Sequence, residues 1–352
     1  MSTAGPPEPA FDEARAVITA GLASRAFPAA VVNVGRSDRV VWQEAFGYLT
    51  YDADAPPCRL DTIFDLASLT KVIATASIAL RQVQAGALQL EAPVGAILPN
   101  WTGGARDRVQ VRHLLDHSSG LPAHLRVWES IQGRAAYLRA ICGAPLEREP
   151  GTASVYSDPG FMLLGLLLEK TGDASLEGQL ADALAAWPEP LLYRPPPDLL
   201  HRIAPTERDP WRARLLRGEV HDENAWAMGG VAGHAGLFGT AEAVGAFARL
   251  VLKTFARPTN LGTPALMRRF GSRTGVPGSS RALGWDTALP ASSCGARMST
   301  HAIGHTGFTG TSLWIDPERD MYAVLLTNRV HPTRQNEQLP PLRAAFHDAL
   351  PF

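Results

Sequence analysis

Hydrophobic and polar positions follow two rhythms along this chain. Phe11, Val17, Ile18 and Leu22 recur at helical spacing and stop before Pro28, which predicts an amphipathic helix. Two β-like runs follow, residues 29–34 and 39–46, on either side of polar Ser37-Asp38. That is the pattern of a hairpin opening a sheet. From Ser68 to about Gln84 the residues favour a helix that is apolar nearly all round (Val72, Ile73, Ala76, Ile78, Ala79, Leu80), hence a buried one. Residues 90–240 read mostly as helix and loop. Asp158 is placed to cap a helix with Pro159 in its first turn, running to Lys170 and ending near Gly172. Residues 241–256 form another amphipathic helix. Strand signals return at 281–285, 302–306, 311–315 and 322–327, the last two joined by an Asp-Pro-containing turn at 316–320. A helix near 342–350 closes the chain.

This order (strands, helices, strands) predicts an α+β fold, with a sheet flanked by helices and built from both ends of the chain. The expected regions are 10–67 with 240–352 for the sheet, and 68–239 for an inserted, mainly helical part. At 352 residues, 45% hydrophobic and 19% charged, the chain has material for two such regions. A net charge of -1 gives no basic field to attract nucleic acid or anionic lipid. Residues 1–9 carry no basic and apolar leader pattern, and no run approaches the roughly 18 apolar residues of a membrane span. The expectation is a soluble protein, cytoplasmic as written and periplasmic or extracellular if a leader was removed. Cys58, Cys142 and Cys294 are odd in number and widely spaced, so they read as free thiols rather than a disulfide framework or zinc site.

Of 33 basic residues only Lys71, Lys170 and Lys253 are lysines, which directs attention to Ser68-Leu69-Thr70-Lys71. On a helix, residues three apart share a face, so the hydroxyl and amine can meet. A serine at a helix N-terminus also lies beside free backbone N–H groups able to hold an oxyanion. A serine nucleophile needs a base. Lysine serves if burial lowers its pKa, whereas arginine stays protonated. The bland alternative is a capping serine with a snorkelling lysine.

Two further segments match. Tyr156-Ser157-Asp158 precedes a helix start, and His305-Thr306-Gly307 ends a predicted strand. With these three boxes in order, the chain resembles the serine β-lactamase and penicillin-binding family, in its class C-like branch, which also holds DD-peptidases, D-aminopeptidases and family VIII esterases. The phrases at 114–122, 229–233 and 235–239 resemble the family too, over roughly residues 15–350. The resemblance implies a β-lactamase/transpeptidase-like fold with the site in the cleft between the two regions. It makes Ser68 the acylated nucleophile, with Lys71 and Tyr156 sharing base duty. The N–H groups of Ser68 and Phe308 would form the oxyanion hole, and His305, Thr306 and Gly307 the substrate-docking strand edge. No metal or organic cofactor is implied, and the partner is a small ester, a D-amino-acid peptide or a β-lactam. Asp158 departs from the amide many relatives carry, and an ionised aspartate cannot donate to a substrate carbonyl. It is left to cap its helix or to hold Lys71 charged. His305 replaces a lysine, so the fixed positive charge of lactamases is weakened, which leans toward esters or peptides.

Competing signals are weaker. His113-Leu114-Leu115-Asp116-His117 has the spacing of an inverted zinc motif, with His124 or His221 as a third ligand. No G-x-S-x-G elbow or phosphate-cradling glycine loop occurs. The segment His221-Asp222-Glu223-Asn224 reads as a loop lining the cleft, and Trp226, Trp285 and Trp314 as core tryptophans. A silent peptidoglycan- or penicillin-binding module is the non-enzyme alternative, and it predicts decay of a proton-handling residue.

Overall fold

The computed structural model describes residues 11–184 and 191–351, so the leader reading of residues 1–9 lies outside the described residues. Six strands form one antiparallel sheet: β1 (Ala29–Gly35), β2 (Val40–Gly47), β3 (Asp286–Thr287), β4 (Ile303–Thr306), β5 (Ser312–Asp316) and β6 (Met321–Thr327). Their spatial order is β2-β1-β6-β5-β4-β3. The first and last strands of the chain are therefore neighbours at the centre, with Ala30 opposite Thr327 and Val34 opposite Ala323. Five helices matter here: α1 (Asp12–Ala23), α2 (Ser77–Gln84), α3 (Asp158–Gly172), α4 (Ala241–Ala256) and α5 (Leu339–Asp348).

Every residue of β1 and β6 is buried, because helices cover both sheet faces. Side chains alternate between the faces. Ala30, Val32, Val34, Ala323 and Leu325 share a cluster with Ile18 of α1 and Phe346 of α5. Val31, Val324 and Leu326 instead join the larger core with Val244, Phe247 and Val251 of α4. Each Val, Leu, Ile or Phe among them, fully buried, contributes about 1.5–3 kcal/mol.

The helix at 241–256 has the expected bounds, and strands at 302–306, 311–315 and 322–327 are each shifted by about a residue. The run 281–285 is not a strand. Gly284 turns the chain at φ +91°, and pairing with β4 begins only at Asp286. The stretch read as helix and loop also contains short strands: Leu191–Tyr193 and Leu237–Gly239 form a second sheet with Phe64–Asp65. Two or three residues are too few for periodicity to reveal. Trp285 and Trp314 are buried, as expected of core residues, and all three cysteines are free.

Candidate active site

Ser68 lies in the turn leading into a helix whose first stretch, Lys71–Ala76, is π-helical before α2 takes over at Ser77. π-Helical turns are rare and concentrate at functional sites. Ala67, just before Ser68, adopts φ +47°, a strained conformation for a residue with a Cβ. The surroundings hold it there. Asp65 Oδ1 accepts the Ala67 N–H at 2.8 Å, and Asp65 Oδ2 accepts the His221 N–H at 2.7 Å. From Thr62 to Leu80, Ser68 is the one residue not buried.

The third box reaches this turn from β4. Thr309 and Thr311 hydroxyls donate to the Asp65 and Leu66 carbonyls at 2.7 and 3.0 Å. A Cβ on Gly307 would sit 2.6 Å from the Leu66 oxygen and 2.1 Å from Thr311 Oγ1, so only glycine allows the approach. Neither the Ser68 N–H nor the Phe308 N–H has a hydrogen-bond partner among the described residues.

The second box arrives on α3. Ser157, not Asp158, is its N-cap: extended at φ -128°, it accepts the Gly160 N–H at 3.1 Å. That frees the Asp158 carboxylate to turn inward. Lys71 Nζ is completely buried and donates to Ser68 Oγ at 3.0 Å, Asp158 Oδ1 at 2.8 Å and the His234 carbonyl at 3.0 Å. Three acceptors match the three N–H bonds of an ammonium. A Cβ on Gly233 would lie 2.2 Å from the Phe161 carbonyl of α3, so this glycine lets its loop lie close enough to offer the His234 carbonyl.

Tyr156 Oη stands 2.8 Å from Ser68 Oγ, and the Lys71 ammonium lies 4.8 Å from its ring centroid. Ser68, Lys71, Tyr156 and Asp158 are thus a connected chain, assembled from residues 87 positions apart. The complete set leaves no decay of the kind a silent binding module requires.

Of the two expectations for Lys71, a pKa lowered by burial or a charge held by Asp158, the geometry favours the second. Burial alone would push its pKa down, but Asp158 and Tyr156 outweigh that and raise it. For Asp158, burial opposes ionisation, yet Lys71 and the His124 hydrogen bond hold its carboxyl well below the ordinary range. Burial raises the Tyr156 phenol, with Lys71 pulling the other way. The resting site is therefore an ammonium–carboxylate pair beside a neutral phenol.

His305 is buried, and its Nδ1 donates to the Thr306 carbonyl at 2.8 Å. Burial and then Arg281 drive its pKa well below the usual value, so it supplies no charge. The cation is Arg281, 5.2 Å from the Tyr156 ring centroid, in a run whose sequence read as a plain strand. It lines a cleft of about 810 Å³ with Ser68, Tyr156, Arg329, Arg334 and Arg343. Arg343 is 7% exposed, and among the described residues its Nε has no partner.

The histidines of the zinc alternative are used otherwise. His113 Nδ1 accepts the Gln110 N–H at a helix start, and His117 Nδ1 accepts the Ser157 N–H. His221 pairs with Glu207 at 2.9 Å and exposed His124 with Asp158 Oδ2 at 3.3 Å. Burial lowers both His113, to about 4, and His117. Asp222 caps a short helix through the Ala225 N–H and accepts His234 Nε2, and His221-Asp222-Glu223-Asn224 does line the cleft.

Comparison with known proteins agrees with this geometry. The chain is 33% identical to an N-acetylmuramyl-L-alanine amidase of Bacillus subtilis (strain 168), over 87% of this chain and 78% of that one. It is 29% identical to a protein of Salmonella typhi provisionally named a D-alanyl-D-alanine carboxypeptidase, over 97% and 89%. Its fold is shared with a penicillin-binding protein homologue from Caulobacter crescentus (TM-score 0.78, 19% identity, 99% and 98% covered). It is shared also with EstCE1, a hydrolase with promiscuous acyltransferase activity (TM-score 0.74, 21% identity, 96% and 98% covered). The β-lactamase family profile matches residues 14–348, and the chain belongs to the β-lactamase family as a serine hydrolase.

Proposed function

We propose that this hydrolase is an amidase that cleaves N-acetylmuramyl–L-alanine amides through an acyl-enzyme on Ser68. The observation that carries the reading is the Ser68 hydroxyl between Lys71 Nζ and Tyr156 Oη, 3.0 and 2.8 Å away, at the edge of an arginine-lined cleft.

The Tyr156–Ser68 hydrogen bond joins two hydroxyls, either of which can donate. With the bond reversed, Tyr156, a neutral phenol, acts as a relay: it passes its own Oη proton to the scissile nitrogen as it receives the Ser68 proton and Oγ forms its bond to the carbonyl carbon. The Ser68 and Phe308 N–H groups receive the oxyanion. The C–N bond then breaks with that proton already on the departing amine, so Tyr156 ends neutral and no net base is consumed. Water then attacks the Ser68 ester by the same relay in reverse, releasing the acid. Lys71 stays an ammonium throughout and offsets negative charge on Ser68 Oγ and Tyr156 Oη.

Arg281, Arg329 and Arg343 suit a leaving group that carries a carboxylate, and burial with nearby Arg329 holds Arg343 down to about 10. Ionised Asp158 offers no N–H to an acylamino carbonyl beside the scissile bond. This favours the muramyl amide over penicillins and acyl-D-alanyl-D-alanine. The first relative's name agrees. The second relative's name and the arginine cleft, which also fits a terminal D-alanine carboxylate, support a carboxypeptidase as the second reading.

The test combines intact mass after fluorophosphonate treatment with product analysis. Wild type gains one adduct, Ser68→Ala none, and wild type releases L-alanine from N-acetylmuramyl-L-alanine faster than D-alanine from an acyl-D-alanyl-D-alanine. The opposite ranking transfers the assignment to the carboxypeptidase, and an adduct retained in Ser68→Ala removes Ser68 as nucleophile.

A further inference from the structure

The cleft has a second lobe. A cavity of about 300 Å³ shares Ser68, Tyr156, Phe308 and Arg334 with the arginine-lined one. Beyond this common ridge the lining changes to Trp128, Arg126, Asp222, Glu223 and Asn224. The acids there all hold partners. Asp158 is paired with Lys71 and Glu223 with Arg334, Asp222 Oδ1 accepts His234 Nε2, and Arg126 and Arg334 line the same lobe, so a cationic ligand gains little.

An apolar ligand fits no better. The half-buried Trp128 has no partner for its indole N–H among the described residues, with the Arg126 guanidinium 5.4 Å from its ring centroid. Asp222 Oδ1 is taken by the Ala225 N–H and His234 Nε2, while Oδ2 has no partner among the described residues. A hydrocarbon would bury that donor and acceptor unmet. What remains is a neutral ring with an apolar face for Trp128 and the half-exposed Phe308, and with hydroxyls for Asp222 and the indole N–H. The volume is at the lower end of ligand cavities, about 300–1,000 Å³, which suits one ring rather than a polymer.

We infer that this lobe is a saccharide subsite that holds a single sugar ring on the acyl side of Ser68. That the ring is a muramyl group rests on the amidase reading; the sugar chemistry of the lobe does not.

Ligand-observed NMR titration of the full chain tests it, with N-acetylmuramic acid and with methyl N-acetylglucosaminide, which has no carboxylate for the arginines. Both sugars bind wild type. Trp128→Ala weakens both by about tenfold, the loss of one aromatic contact, and Trp128→Phe, which keeps a ring and an intact fold, weakens them less. Failure of the glucosaminide to bind, or equal affinity in wild type and both Trp128 variants, overturns the subsite. Release of L-alanine from N-acetylmuramyl-L-alanine is measured in parallel. Sugar binding without release retains the subsite and removes the amidase. Release with sugar affinity indifferent to Trp128 does the reverse.

Discussion

Replacing Asp158 by asparagine removes one charge from the buried pair and keeps the side-chain shape. The Lys71 ammonium is then 0% exposed with only neutral acceptors: Ser68 Oγ, the His234 carbonyl and the new amide oxygen. At 2.8 Å and an effective dielectric of about 20, the lost attraction is about 6 kcal/mol. The loss is capped, because Lys71 can instead shed its proton. From an ordinary value of 10.5, that costs about 5 kcal/mol at pH 7. The smaller figure governs, so Asp158→Asn should destabilise the fold by about 3–5 kcal/mol, the usual cost of breaking a buried pair.

The sign with pH follows from the two shifts. The depressed Asp158 carboxyl contributes stability above its unfolded value, lost as pH falls through the folded one. The raised Lys71 contributes below 10.5, lost as pH rises through its folded value. The wild-type advantage in urea unfolding is therefore greatest near pH 5–6, falls by about 1.4 kcal/mol per pH unit above that as the variant's Lys71 sheds its proton more cheaply, and shrinks again below about pH 4. Lys71→Met combined with Asp158→Asn should recover part of the loss, because no buried charge remains unpaired. A loss below about 1 kcal/mol at pH 7, the range of exposed pairs, would show that Lys71 is not a buried ammonium held by Asp158.

Tyr156→Phe removes the proton relay and should lower kcat/KM for amides by about 10²- to 10⁴-fold. An activated ester, whose leaving group needs no proton, should lose less; equal losses would argue against leaving-group protonation by Tyr156. Arg281→Gln should raise KM for carboxylate-bearing amides roughly tenfold to hundredfold, the worth of a charged hydrogen bond. Esters without a carboxylate should keep their KM, and a similar rise for both would remove Arg281 from substrate recognition.

The parts of this site legible in the sequence are those set by local spacing. Ser68 and Lys71 are one helical turn apart, and Tyr156 announces itself by standing just before the Pro159-marked start of α3. The charge of Lys71 was not legible as a single outcome, because its sign depends on a carboxylate 87 residues away. Asp158 could be foreseen as a helix cap or as a partner of Lys71. Which one holds turned on Ser157 taking the cap. Arg281 carried no signal among 30 arginines, and its run looked like a strand because apolar neighbours hid the bend at Gly284. His124 stood out only as a spare zinc ligand, since the sequence does not reveal that its loop lies against Asp158. For the sheet, periodicity found the long strands. It missed Phe64–Asp65, Leu191–Tyr193 and Leu237–Gly239, which tertiary pairing alone defines.

The central pairing of β1 with β6 matters for how the protein is made. The hairpin of β1 and β2 leaves the ribosome early, apolar along its β1 strand except for Asn33, yet the strand that completes it is Met321–Thr327. At roughly 5–20 residues per second, the intervening synthesis takes on the order of 15–60 s. During that interval the β1 edge is open to other chains. Folding of the sheet must wait for release of the C-terminus, and a chain that stops short of β6 has no means of closing its own core.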